Sequence, residues 1–112
     1  METIKSSEEI TLLFKQGNRF HTAYLTFIVL PQCDHGEKSD GRVAFIAGKK
    51  LGNAVWRNRA KRRMRALCKD IGGPWQGLDV VLLAKKSVTE AQYIDILQAC
   101  SKVVNTIKEY QG

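Results

Sequence analysis

The sequence predicts a small α+β fold, in which three helices pack against one mostly antiparallel sheet. The chain has 112 residues, the size of a single domain with one hydrophobic core. It is 44% hydrophobic and 26% charged, as is usual for a globular protein. Helical and strand patterns follow one another in the order α-β-β-β-α-β-α, without a repeat or a linker. Residues 1–112 are therefore expected to form a single domain.

The first helix is predicted over residues 6–17. Ser6 and Glu9 have the spacing of a capping box, in which each side chain bonds the backbone N–H of the other residue. Apolar residues then recur at helical spacing, and Gly17 is suited to end the helix.

Three strands are predicted next, at residues 18–21, 24–30 and 42–47. The second and third are rich in β-branched and aromatic residues. A polar segment, residues 32–41, separates them. If that segment is a hairpin loop, these two strands pair in antiparallel fashion.

The central helix is predicted over residues 54–71, with Asn53 as its N-cap and Gly72 after its end. Residues 79–84 are almost continuously apolar, which is the pattern of a strand buried on both faces.

The last helix is predicted over residues 90–110, because Thr89 and Gln92 again have capping-box spacing. Its apolar residues share one stripe along the helix. They are Ala91, Ile94, Leu97, Cys100, Val103, Val104 and Ile107.

The charge of the chain is concentrated in one segment. The net charge is +7, but residues 49–69 hold nine basic residues and no acidic one, and the rest of the chain sums to −2. Such a segment is typical of a protein that binds a polyanion. The alternative, a solvated helix face, is disfavoured because surfaces usually mix both signs of charge.

Most basic residues of the central helix are predicted to lie in a sector beside its buried stripe, with Arg59 and Arg63 on the far flank. At 100° per residue, Trp56, Ala60, Met64, Leu67 and Ile71 form the buried stripe. Arg57, Lys61 and Arg65 rise in a row beside it, at a spacing where like charges repel. Guanidinium groups make fork-shaped contacts to phosphate, so this row favours nucleic-acid binding.

Other kinds of site are not indicated. The three cysteines are an odd number and widely spaced, which disfavours a disulfide framework and fits a reducing cytoplasm. Cys33 and His35 lack the second ligand pair that a zinc site needs. His21 has no evident nucleophile or carboxylate partner. No signal peptide or membrane-spanning run is recognised.

The run KKLGNAVWRNRAKRRMR, residues 49–65, resembles the signature of the bacterial ribonuclease P protein component. The lysine pair, Gly-Asn-Ala-Val, Arg-Asn-Arg and Lys-Arg elements occur in the order and spacing of that family. Residues 14–17, 42–45 and 79–86 and a last helix containing Tyr93 also fit the layout of the family. The resemblance therefore covers nearly the whole chain.

This resemblance implies a left-handed β-α-β crossover from the strand at 42–47 to the strand at 79–84, against the general right-handed rule. It further implies a protein subunit of ribonuclease P, an endoribonuclease that removes the 5′ leader of precursor tRNA. Catalytic groups and Mg²⁺ are expected on the RNA subunit and substrate, with no catalytic or metal-binding residue on the protein. The expected partners are ribonuclease P RNA and precursor tRNA in the cytoplasm, with no membrane and no protein partner required.

The resemblance also assigns residues to the two RNAs. The residues expected to contact the RNA subunit are Asn53, Arg57, Asn58, Arg59, Lys61, Arg62, Arg63 and Arg65. A cleft between the first helix and the sheet is expected to hold the single-stranded leader. Its expected contacts are Ile10, Phe14, Phe20, Lys49, Lys50 and Lys85.

Two other classes of function stay open from the residues alone. A ribosomal protein or an RNA chaperone would share the basic segment but needs no leader cleft. A DNA reader would place the central helix in the major groove, and that arrangement predicts another helix and a tight turn before it.

Overall fold

The computed structural model describes residues 3, 4, 6–32 and 41–110. Within these residues three helices and four strands form one α+β unit. The helices are α1 (Ser7–Gln16), α2 (Ala54–Asp70) and α3 (Tyr93–Tyr110). The strands are β1 (Asn18–His21), β2 (Leu25–Pro31), β3 (Arg42–Ile46) and β4 (Leu78–Ala84). Short 3₁₀ turns at Lys49–Leu51 and Lys86–Thr89 follow β3 and β4. The predicted α+β class and element order are confirmed.

The sheet has the order β1-β2-β4-β3. β1 pairs with β2 and β2 with β4 in antiparallel fashion, whereas β3 is parallel to β4. The expected hairpin of the second and third strands is therefore wrong, because β4 lies between them. Most of the polar segment that suggested it, residues 33–40, lies outside the described residues. The connection β3-α2-β4 joins parallel neighbours, and its left hand stays a prediction.

Each face of the sheet packs against different helices. α2 and α3 cover one face, where Phe27, Val80 and Leu82 are buried against residues such as Met64 and Ile96. α1 covers part of the other face, where Leu13 packs with Ile28, Ala44 and Val81. β4 is buried along most of its length, because it has a strand on each side and helices on both faces.

Two of the predicted caps form as expected. The Ser6 hydroxyl accepts a hydrogen bond from the Glu9 N–H at 3.4 Å, and Gly17 N–H donates to the Leu13 carbonyl at 2.8 Å. The reciprocal half of the capping box is wrong. The Glu9 carboxylate pairs with Arg42 instead.

The start of α3 also differs from its prediction. The helix begins at Tyr93, since residues 86–89 form a 3₁₀ turn and the Thr89 hydroxyl accepts a hydrogen bond from Trp56 Nε1 at 2.9 Å. Ile94, placed on the apolar stripe by its spacing, is 52% exposed, whereas Ile96 is fully buried. The buried face of α3 is therefore rotated relative to the predicted stripe at its first turn.

Candidate nucleic-acid interface

The first candidate surface is the side of α2 that faces away from the sheet. Ala60, Met64, Leu67 and Cys68 bury the opposite side of the helix. The outer face of α2, defined by Val55, Asn58, Arg59 and Arg62, is exposed and encloses a shallow cavity of about 260 Å³. No acidic residue lies between Ala54 and Lys69, so nothing on the helix neutralises this face before its last residue.

A row of cations borders the outer face on the side of β3. Arg57 and Lys61 are half-buried and Arg65 is exposed. The Arg65 guanidinium lies 5.7 Å from the centre of the Phe45 ring, a cation–π contact that holds its side chain along β3. The three cations therefore follow one another at i, i+4 and i+8 on a regular helix, and we call this row the cationic edge.

Arg63 lies on the opposite side of α2 and is held within the protein. Its Nη1 donates to the Val88 carbonyl at 3.3 Å, and its guanidinium lies 5.8 Å from the centre of the Tyr93 ring. The Tyr93 hydroxyl in turn donates to Asp70 Oδ2 at 2.6 Å. Burial and the Asp70 carboxylate raise the pKa of Tyr93 to about 12. These contacts join α2 to α3.

The amino end of α2 is held in a defined geometry. Asn53 Oδ1 accepts a hydrogen bond from the Trp56 N–H at 3.0 Å, as its predicted capping role requires. The Trp56 ring lies so close to Gly52 that a Cβ there would be 2.8 Å from it. A predicted RNA contact, Asn53, therefore also has a structural task.

The second candidate surface is the junction of α1 with the sheet, where the leader cleft is expected. Four half-buried apolar residues, packed on the α1 side of the sheet, define the cleft: Ile10 and Phe14 of α1, Ile46 of β3 and Leu83 of β4. Ile46 and Leu83 are register partners, so they are adjacent on the sheet. Two predicted leader contacts, Ile10 and Phe14, therefore lie together.

A network of charged side chains fixes α1 across the sheet. Arg42 donates to both carboxylate oxygens of Asp79, at 3.1 and 2.8 Å, and Gln32 donates to Asp79 Oδ1 at 2.8 Å. Arg42 Nη2 is 2.5 Å from Glu9 Oε2, an ion pair without good hydrogen-bond alignment. The hydrogen bond to Asp79 is the main reason that the pKa of Arg42 is raised above its ordinary value. The network anchors the first turn of α1, and with it the cleft.

The three lysines assigned to the leader lie at one end of the sheet. β3 and β4 are parallel, so the segments that follow them leave the sheet at the same end. Lys49 and Lys50 follow β3 and are exposed. Lys85 follows β4, where its ammonium donates to the Thr22 carbonyl at 2.6 Å. Lys85 thus also ties the β1–β2 turn to β4.

Phe20 is not brought together with the other leader residues. It pairs with Phe27 across β1 and β2, and both rings belong to the face covered by α2 and α3. Phe14 lies on the opposite face. The assignment of Phe20 to the leader stays a prediction, but the structure places it outside the cleft.

Two residues of β1 that were not predicted flank the cleft. Arg19 Nη2 donates to the Phe14 carbonyl at 3.0 Å, and its guanidinium lies 5.6 Å from the centre of the Phe14 ring. His21 Nδ1 is 3.0 Å from Thr26 Oγ1. Strand alternation puts Arg19 and His21 on one face of β1, but only the pairing with β2 shows which face that is.

No metal or reactive-thiol site is evident in the part of the chain that the structure describes. Within it, no group of three His, Cys, Asp or Glu side chains is placed to hold a metal ion. Cys68 and Cys100 are buried free thiols, and burial raises their pKa values to about 11 and about 12. Cys33 and His35 lie outside the described residues.

The structure also bears on the DNA-reader and membrane alternatives. A strand and a 3₁₀ turn precede α2, whereas a helix-turn-helix protein needs a helix there. Among residues 3, 4, 6–32 and 41–110, no helix is long and apolar enough to cross a membrane.

Comparison with known proteins gives consistent matches. A family model described as Ribonuclease P matches residues 1–108. The chain is 32% identical over 108 residues to the ribonuclease P protein component of Nitratiruptor sp., covering 96% of this chain and 94% of that protein. The same identity and coverages hold for the component from Streptococcus thermophilus.

Solved structures show the same fold. The ribonuclease P protein of Staphylococcus aureus superposes with a TM-score of 0.77 at 22% identity, covering 96% of both chains. The ribonuclease P protein of Thermotoga maritima superposes with a TM-score of 0.73 at 20% identity, covering 93% of this chain and 96% of that one.

Proposed function

This chain belongs to the ribonuclease P protein family, and we propose that it is the protein subunit of ribonuclease P, acting in the removal of the 5′ leader from precursor tRNA. The observation that carries the proposal is the pairing of two separate surfaces on one small domain. The outer face of α2 offers exposed guanidinium groups to phosphates. The cleft beside α1 offers Phe14 and apolar floor residues to unpaired bases.

Each surface suits a different RNA. A helix face of exposed arginines fits the backbone of a folded RNA, so we assign the outer face of α2 and its cationic edge to the RNA subunit. A cleft with one aromatic ring and lysines at one end fits a short single strand, so we assign it to the leader. An RNA chaperone or ribosomal protein would need only the first surface.

We place the catalytic groups on the RNA subunit. The protein supplies binding and orientation, and Mg²⁺ is held mainly by RNA phosphates and water, since oxygen ligands are those that Mg²⁺ prefers. The protein needs no protein partner in this scheme and acts in the cytoplasm with ribonuclease P RNA and precursor tRNA.

Reconstitution tests the proposal. The protein is mixed with a bacterial ribonuclease P RNA and a precursor tRNA carrying a labelled leader, at a Mg²⁺ concentration where the RNA alone cleaves slowly. We expect the protein to restore cleavage, and the released leader to have the length that corresponds to the mature 5′ end. The protein without the RNA subunit should leave the precursor intact.

Two results would contradict the proposal in different ways. Tight binding of the RNA without a change in cleavage rate would make the protein a general RNA-binding module. Cleavage by the protein alone would place catalytic groups on the protein. Lys102→Gln, which removes an exposed charge from α3, is a control for nonspecific effects of charge and should restore cleavage as the wild-type protein does.

A further inference from the structure

We propose that Arg19, on the edge strand β1, binds a phosphate of the single-stranded leader, as a cationic group on the side of the cleft opposite Lys49 and Lys50. This inference rests on the proposed function, because it assigns a further residue to the leader cleft. The basic leader contacts predicted from the sequence, Lys49, Lys50 and Lys85, all lie in segments that follow β3 and β4.

The first support is the fixed position of the Arg19 side chain. Its Nη2 donates to the carbonyl of Phe14 in the last turn of α1, 3.0 Å away, and its guanidinium stacks on the Phe14 ring at 5.6 Å. A long side chain that is already ordered loses less conformational entropy when it binds a ligand. The Arg19 side chain is thus preorganised for binding in the free protein.

The second support is that most of its donors are left unused. A guanidinium has five N–H donors in a plane, and a single hydrogen bond from Arg19, to Phe14, is found among the described residues. No acidic side chain in that part of the chain forms an ion pair with it. Arg19 is exposed, so a phosphate can approach its free edge.

The third support is where β1 lies in the sheet. β1 and β3 are the two edges, with β2 and β4 between them. Lys49 and Lys50 leave the sheet after β3, and Arg19 stands on β1 on the face that carries α1. The Phe14 ring and the apolar floor lie between these cations. A single strand fits this arrangement, because its bases can stack in the middle while its phosphates reach cations on both sides.

Salt dependence separates phosphate contact from simple support of the Phe14 ring. Affinities of the holoenzyme for precursor and for mature tRNA are measured across a series of salt concentrations. The difference between the two log–log slopes reports leader phosphates alone. We expect Arg19→Gln to reduce this leader-specific slope by about 0.7 and to weaken precursor binding about five- to tenfold, with mature tRNA little changed.

Three variants complete the test. Arg19→Lys keeps the charge and should restore most of the slope. Phe14→Leu removes the ring but keeps the backbone carbonyl that holds Arg19, so it should weaken precursor binding with little change in the slope. Lys102→Gln, on α3, should change neither quantity. Thermal unfolding of each free variant identifies any loss of affinity that comes from unfolding, and Arg19→Lys supplies the comparison if Arg19→Gln is unstable.

The outcomes separate this inference from the proposed function. If the wild-type holoenzyme does not prefer precursor over mature tRNA, the leader contact in the proposed function fails. If it does prefer precursor, but Arg19→Gln leaves the leader-specific slope unchanged or weakens both substrates equally, the inference about Arg19 alone is overturned.

Discussion

Arg62 and Arg63 are neighbours in the sequence, but the helix places them in different environments. Arg62 is exposed on the outer face of α2, whereas Arg63 is half-buried and bonds the Val88 carbonyl. The family resemblance assigns both to the RNA subunit, and charge and helical spacing do not show which arginine the rest of the protein holds. A basic residue can thus serve the fold, the RNA or both.

Arg62→Ala should therefore weaken binding of the RNA subunit without affecting stability. We expect the log–log salt slope for binding to fall by ~1, whichever substrate is present, and the free energy of unfolding to change by less than about 0.5 kcal/mol. Arg63→Ala is the matched comparison, since loss of its cation–π contact and hydrogen bond should cost about 1–2 kcal/mol of stability. Filter binding and denaturant unfolding measure both quantities. An unchanged slope for Arg62→Ala would remove it from the phosphate contacts.

Position 41 requires glycine, because its backbone conformation and its surroundings leave no room for a side chain. Its φ is +87°, and a Cβ there would lie 2.1 Å from the Trp75 carbonyl oxygen. Gly41→Ala should therefore lower the free energy of unfolding by about 2–4 kcal/mol. Gly48→Ala is the control, because a Cβ at Gly48 meets nothing within 4 Å, and its φ is an ordinary −67°. Equal melting temperatures for the two variants would contradict this interpretation.

At the scale of elements, the helices, caps and strands that depend on neighbouring residues in the sequence were predicted well. α2 and its Asn53 cap, the Gly17 end of α1 and the buried strand β4 all follow from local spacing. The position of β3 does not, because its register partners in β4 lie 37 residues away and leave no local signal. Arg19 could not be predicted as a leader contact for the same reason, because only the pairing of β1 with β2 shows that Arg19 lies on the face that carries α1.

The start of α3 was missed for a related reason. Thr89 and Gln92 have capping-box spacing, but Thr89 is already bonded to the indole of Trp56 on α2. A contact between two distant elements thus overrides a local capping preference. The Cys-x-His segment and most of the loop between β2 and β3 lie outside the described residues, so those expectations stay predictions.

The network that anchors α1 should couple Arg42 of β3 energetically to Asp79 of β4. Asp79 is buried and accepts hydrogen bonds from Arg42 and Gln32, so Asp79→Asn should cost about 1–3 kcal/mol of stability, because Arg42 loses one of its two charged partners. Combining it with Arg42→Gln should cost less than the sum of the two single variants, by about 1–2 kcal/mol. A double-mutant cycle by urea unfolding measures this coupling. Strict additivity would show that the network contributes no coupling.

At the scale of the whole molecule, the protein separates charge in space. Residues 49–69 carry nine positive charges, while the remaining 91 residues carry a slight negative excess. Burial of the apolar side of α2 offsets part of the repulsion among these cations. The buried residues of the helix are Ala60, Met64, Leu67 and Cys68. The cationic side is therefore present before RNA arrives, although its charges repel one another.

Lys61→Gln tests this opposition between stability and binding. Lys61 lies between Arg57 and Arg65 at i±4, so removing its charge relieves two repulsive pairs. We expect the free protein to gain about 0.4–1 kcal/mol of stability at low salt, and this gain to vanish near 1 M salt, where charges are screened within ~3 Å. Affinity for the RNA subunit should fall in the same variant, with a log–log salt slope reduced by about 0.9.

Lys102→Gln is the control for that variant, because the residues at i±3 and i±4 of Lys102 carry no charge. Its stability should stay within about 0.5 kcal/mol of wild type at every salt concentration. If Lys61→Gln also leaves stability unchanged at low salt, water already screens the repulsion within the row, and the row does not lower the free energy of unfolding. If it gains stability and keeps full RNA affinity, Lys61 belongs to no phosphate contact. A gain in stability together with a loss of affinity would show that the cationic side of α2 is maintained for binding, at a measurable expense to the fold.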